Sequence, residues 1–152
     1  MEEFGLDSVI KLASNESPYP PFPEVQAAIA EAAGRVNRYP DNRKRMLRRA
    51  VAEFLSVEPD QLWFGGGSNE LMLVTGLAMG GPGSSAVYPS PSFGLYRIAG
   101  RVAHSENIEV PLDDDLRMDL DAMAAAIRDD TTVVYLCNPN NPTGTHVAGA
   151  AV

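Results

Sequence analysis

Between Leu62 and Cys137 the sequence repeats one pattern: a short apolar run, a loop of glycine, proline or small polar residues, then a longer stretch with helical spacing. Leu62-Trp63-Phe64, Ala86-Val87-Tyr88, Asn107 to Val110 and Thr132 to Cys137 read as strands; Leu71 to Met79, Phe93 to Arg101 and Leu120 to Ile127 read as helices. Strands that alternate with helices restrict the chain to an α/β fold, a three-layer, mostly parallel sheet with helical crossovers. Ligands of such sheets gather at the carboxyl ends of the strands, so the loops that follow the strands are the candidate site.

Ahead of this alternation, "SNESPYPPFP" predicts an extended arm through Phe22, because closely spaced prolines exclude helix and lack strand donors. Pro23 suits the first turn of a helix running to Ala33, with Gly34 as its stop. After the irregular "NRYPDNR", Arg43 to Leu55 predicts an amphipathic helix with Met46, Leu47, Ala50, Val51, Phe54 and Leu55 along one face. That spacing places the basic cluster of Arg43, Lys44, Arg45, Arg48 and Arg49 on the opposite, solvated face and removes the need for a nucleic-acid patch.

The net charge of -8 repels nucleic acid and anionic membranes, which leaves small molecules as the expected ligands. Cys137 is the one cysteine, so no intramolecular disulfide forms; a reduced setting and a buried structural thiol at the end of a strand are expected. His104 and His146 stand far apart without ligand spacing, and no metal site is expected. Met1-Glu2-Glu3 is acidic where a secretory signal needs positive charge, and a cytoplasmic protein is expected.

Three loops carry the chemistry. In "GGGSNE" the glycines permit close backbone approach, and the N–H groups of Gly67, Ser68 and Asn69 open the next helix, an arrangement suited to phosphate. The same stretch is also readable as a tight turn with Ser68 or Asn69 as the cap, and it matches neither the dinucleotide nor the lysine-ending P-loop pattern. In "YPSPSFGLY" the Phe93 ring either lies on a planar cofactor or fills the core. "CNPNNPTG" exposes amide side chains on a backbone stiffened by proline, which makes a rigid loop aimed at a polar ligand or a plain turn.

Taken in order, "KLASNESPY", "RYPD", "GGGSNE" and "NPNNPTG" resemble the fold-type I aminotransferases that use pyridoxal 5'-phosphate (PLP), within them the histidinol-phosphate aminotransferase-like group. The resemblance implies that Gly67, Ser68 and Asn69 form the cup for the cofactor phosphate, that Phe93 stacks on the pyridine ring, and that Asn141 donates to the cofactor's 3'-oxygen. It implies that Tyr39 reaches the cofactor phosphate of the neighbouring subunit of a homodimer, that Tyr19, with Asn15 nearby, contacts substrate, and that the Asn141–Pro142 bond is cis. Phe93 stands where tyrosine is frequent, a change that keeps stacking and loses a hydroxyl.

In that family the lysine that forms the Schiff base lies well beyond the asparagine loop. This chain's only lysines, Lys11 and Lys44, precede the glycine loop, so no catalytic residue is expected within residues 1–152 and these residues alone are expected to be inactive. The resemblance divides the chain into an arm with part of a small domain, 1–34, and the first half of a PLP-binding large domain, 35–152. The implied reaction moves an amino group between an amino acid, histidinol phosphate or an aromatic amino acid, and a 2-oxo acid. Decarboxylation of a phosphorylated amino acid on the same fold, or a non-enzymatic phosphate-binding module, are the alternatives.

Overall fold

The computed structural model describes residues 4–12 and 14–149; the acidic Met1-Glu2-Glu3 start lies outside them. The chain separates into two compact units, Met1–Pro59 and Asp60–Val152.

In the first unit, the described residues between Gly5 and Phe22 form neither helix nor strand, in keeping with an extended arm. Helix α1 (Pro23–Ala33) begins with proline in its first turn and ends at Gly34, whose N–H returns to the Ala32 and Glu31 carbonyls. Helix α2 (Arg45–Leu55) starts two residues later than its spacing predicts. The reason is Asp41: its carboxylate accepts the N–H groups of Arg43 at 3.1 Å and Arg45 at 3.2 Å and pairs with Arg45 Nε at 2.9 Å, while Lys44 turns to φ 48. Of the apolar stripe on α2, Met46 is 89% and Phe54 86% exposed.

In the second unit, helix α3 (Ser68–Met79), strand β1 (Ser85–Ser90), helix α4 (Leu95–Val102), strand β2 (Glu106–Pro111), helix α5 (Leu120–Ala125) and strand β3 (Thr131–Val134) follow in sequence. The sheet order is β2-β1-β3 and both pairings are parallel, with Val87 opposite Ile108 on one side and Val134 on the other. Because side chains alternate along a strand, β1 feeds two cores. Ala86 and Tyr88 pack with Tyr96 and Ala99 of α4 and with Met72 and Leu73 of α3; Val87 packs with Val110 of β2, with Met118 just before α5 and with Met123 of α5. Helices therefore cover both faces, and the three-layer parallel architecture expected from the alternation is present. Among the described residues no helix is long and apolar enough to cross a membrane.

Beyond shifts of a few residues at the ends of α2, α4 and α5, two expected strands differ. Leu62-Trp63-Phe64 forms no strand and Trp63 is 75% exposed; three residues are shorter than an ordinary strand. β3 ends at Val134, although Tyr135 N–H still donates to Val87 O at 2.9 Å. Beyond it the chain turns into the asparagine loop, and Cys137 is half-buried where a buried thiol was expected.

Gly80 closes α3 by donating its N–H to Gly76 O at 2.8 Å. A Cβ there would stand 2.6 Å from that carbonyl oxygen and press on Ser105 Oγ, which itself bonds Gly81 N–H and Ser84 Oγ. Gly80→Ala is expected to lower the unfolding free energy by about 1–3 kcal/mol, the usual cost of forcing atoms into a packed corner. The measurement is the urea midpoint at constant slope; an unchanged midpoint would mean that the α3–β1 corner relaxes without cost.

Candidate functional site

The loops after β1, β2 and β3 meet at the carboxyl end of the sheet. After β1, Pro91-Ser92-Phe93 leads into α4; the Phe93 ring is half-buried and stands edge-on to Tyr96, centroids 5.9 Å apart and planes at 80°. After β3, Asn138 pinches the chain against Val147 by two hydrogen bonds, of 3.0 and 3.1 Å. The β2 loop joins through Leu116, whose carbonyl accepts the hydroxyls of Thr143 and Thr145. Ser90–Pro91, Asn138–Pro139 and Asn141–Pro142 are cis.

Of the three loop asparagines, Asn140 is the buried one, 3% exposed. Its Oδ1 accepts from Ser92 Oγ at 2.7 Å, and its Nδ2 donates to Pro91 O at 3.2 Å and Thr143 Oγ1 at 2.8 Å. The sequence reading passed it over, because three asparagines in one loop look alike until burial separates them. Asn141 is half-buried; its N–H donates to Cys137 Sγ at 3.4 Å, and among the described residues its side-chain amide holds no hydrogen bond.

The glycine loop enters α3 with Gly67 at the N-cap, φ 103 and ψ 172, in the left-handed region where a side chain is strained. No side chain caps this helix, so the reading of Ser68 or Asn69 as a cap does not hold. Both lie in its first turn, where backbone N–H groups have no intrahelical acceptor. One residue on, Glu70 folds its carboxylate back to accept the Gly66 N–H. The α3 and β1 loops share a core: Met72, Leu73 and Phe93 pack against one cluster, and Tyr135 OH donates to Met72 O at 3.5 Å.

A pocket of about 250 Å³ opens beside Phe93, with Tyr88, Ser90, Arg97 and Glu109 in its wall. Glu109 gathers this wall: Arg97 Nη2 lies 2.6 Å, Ser90 Oγ 2.9 Å and Tyr88 OH 3.3 Å from its carboxylate. The Arg97 hydrogen bond holds the Glu109 carboxyl below the ordinary range, and burial raises the Tyr88 phenol. Gly67, Ser68, Asn69 and Asn141 do not line it.

Tyr39, Tyr19 and Asn15 belong to the Met1–Pro59 unit. Tyr39 is 101% and Tyr19 80% exposed, and Asn15 sits at φ 48 in an exposed turn. Lys11 in the same unit pairs with Glu16 at 2.6 Å, and Lys44 precedes α2.

Residues 7–150 match the family model for aminotransferase class I and II. The histidinol-phosphate aminotransferase of Brevibacillus brevis is 48% identical over 145 residues, 95% of this chain and 40% of that protein. An aromatic amino acid aminotransferase of Cutibacterium acnes is 43% identical over 91% of this chain and 40% of its own length. Among solved structures, histidinol-phosphate aminotransferase from Sinorhizobium meliloti, in complex with pyridoxal-5'-phosphate, superposes with a TM-score of 0.79 at 31% identity over 85% of this chain and 35% of that one. The chain thus spans about 40% of the length of the curated relatives it matches.

Proposed function

Because this chain belongs to the class I and II aminotransferase family, we propose that the protein it forms part of transfers an amino group from a primary-amine donor to a 2-oxo acid with PLP as cofactor. Histidinol phosphate is the proposed donor. The 48% identity to a histidinol-phosphate aminotransferase over nearly the whole chain is the observation that carries this reading. Aromatic amino acids are the second reading, favoured by the 43% identity to an aromatic amino acid aminotransferase. The proposed setting is the cytoplasm and the proposed assembly a homodimer.

The residues present fit the cofactor in chemistry and order. The first-turn N–H groups of Ser68 and Asn69, behind Gly67, suit a phosphate dianion at a helix start. Phe93 offers an aromatic face at the end of β1, and Asn141 offers a half-buried amide uncommitted among the described residues. In the proposed site, Gly67, Ser68 and Asn69 hold the phosphate, Phe93 fixes the tilt of the ring, and Asn141 donates a hydrogen bond to its 3'-oxygen. Bound PLP supplies the sink for electrons released when a bond at the amino acid's α-carbon breaks. Tyr19, with Asn15, is proposed to meet the substrate from the arm. Lys11 and Lys44 lie outside the three loops in sequence, so residues 1–152 alone are proposed to be inactive.

The test is amino transfer by the full-length protein from histidinol phosphate or phenylalanine to 2-oxoglutarate. A kcat/KM about tenfold or more higher for histidinol phosphate is expected, since a site that pairs a phosphate discriminates against donors lacking one. The reverse preference moves the assignment to the aromatic reading; CO2 release from a phosphorylated amino acid, O-phosphothreonine, supplied as a third substrate marks a decarboxylase; neither product overturns the proposal.

A further inference from the structure

We infer that Asn140 is a positioning residue that sets Phe93 and Asn141 relative to each other, so that their two proposed contacts with the cofactor succeed or fail together. The inference rests on the PLP reading above. An amide side chain has two N–H donors and one acceptor oxygen. In Asn140 both N–H groups and the oxygen are engaged, and two of the three bonds, to Pro91 O and from Ser92 Oγ, cross to the loop that carries Phe93. Its backbone is fixed as well: N–H donates to Thr145 O at 2.8 Å and C=O accepts from Gly144 N–H at 2.7 Å.

The geometry is nearly symmetric in sequence. Ser92 immediately precedes Phe93, and Asn140 immediately precedes Asn141. The 2.7 Å bond between Ser92 and Asn140 therefore ties the residue before the proposed ring contact to the residue before the proposed oxygen contact. Asn140 is 3% exposed, so removing the Ser92 hydroxyl leaves its Oδ1 buried without that donor. A shift of Asn140 displaces both neighbours at once.

If Asn140 served stability alone, its loss would lower the melting point without changing how Phe93 and the cofactor interact. A double-mutant cycle separates the two cases. PLP dissociation constants are measured for the full-length protein, Asn140→Ala, Phe93→Ala and the double variant. Asn140→Ala is expected to loosen PLP about tenfold, as for loss of a buried hydrogen-bond partner. Phe93→Ala is expected to cost about fivefold in the parent, the typical worth of an aromatic stack. With Asn140 already alanine it is expected to cost less than about twofold. Equal effects of Phe93→Ala in both backgrounds, or an unchanged constant in Asn140→Ala, overturn the inference. Should Asn140→Ala fail to fold, the milder Ser92→Ala, which removes the bridging hydroxyl alone, completes the same cycle with the same criteria. A parent protein that binds no PLP overturns the functional reading and this inference with it, whereas binding with additive effects overturns this inference only.

Discussion

Tyr96→Ala is expected to lower the unfolding free energy by about 3–5 kcal/mol, the range for truncating a large buried aromatic side chain. Tyr96 is 7% exposed and stands where three rings meet: it stacks on Tyr135 at 4.6 Å and 17°, and contacts Phe93 at 5.9 Å and Tyr88 at 6.0 Å. Each aromatic pair contributes about 0.5–1.5 kcal/mol beyond buried area, and the cavity left behind adds to the loss. Native domains are stable by about 5–15 kcal/mol, so this one change removes a large share. Tyr96→Phe keeps the ring and should cost about 1 kcal/mol for the hydroxyl's hydrogen bond.

Alkaline pH offers a second check on the same residue. Burial first, and then the hydrogen bond with Cys137, raise the Tyr96 phenol above its ordinary 10.0. The folded state thus favours the neutral form. Its contribution is complete below that ordinary value and is lost as pH rises beyond it, where the unfolded chain ionises and the folded one does not. Tyr96→Phe should show a smaller loss of stability than the parent above about pH 10. Urea titrations on either side of that pH make both measurements; an alanine variant within about 1 kcal/mol of the parent would remove Tyr96 from the core's centre.

For Tyr39→Phe the expected result is weaker cofactor binding by about 1.5–3 kcal/mol, the range for a hydrogen bond to a charged group. Tyr39 is fully exposed in the link between α1 and α2, so its hydroxyl extends from its own unit into the surroundings. A phenol can give one hydrogen bond to a phosphate. Under the proposed two-fold assembly that phosphate belongs to the other subunit, and each site is completed by both chains. Mixed dimers of Tyr39→Phe and Phe93→Ala subunits test this directly. Donation across the interface leaves one site with both defects and the other with none, so half the sites should bind PLP as tightly as the parent. Should no site in the mixed dimer retain parental affinity, Tyr39 acts within its own chain; a Tyr39→Phe homodimer that binds PLP as tightly as the parent removes Tyr39 from the site altogether.

The sequence made the alternation of β1 to β3 legible because each strand is a short apolar run bounded by turn residues, and α1 because Pro23 and Gly34 mark its ends. Leu62-Trp63-Phe64 misled for a physical reason: three apolar residues are shorter than an ordinary strand, and so brief a run carries too few alternating positions to specify one. The start of α2 was hidden because Asp41, four residues before Arg45, competes for its first amides through a side chain that periodicity ignores. At the site, Phe93 and the glycine loop were visible as motifs. Asn140 was not, since its role depends on Ser92, 48 residues away in the chain, and the Tyr96–Tyr135 stack is equally non-local.

The hydrogen bonds converging on Asn140 also determine when disorder is lost. Fixing a residue's backbone costs about 1–2 kcal/mol of conformational entropy, and in a floppy loop that cost falls at the moment a ligand arrives. Here Asn138 is pinned to Val147, Asn140 to Pro91 and Ser92, and Thr143 and Thr145 to Leu116, all within the folded chain itself. The loss is therefore borne on folding, and under the proposed function an incoming cofactor meets loops already held in place. Affinity at such a site is set by the contacts formed and little by the ordering of the loops.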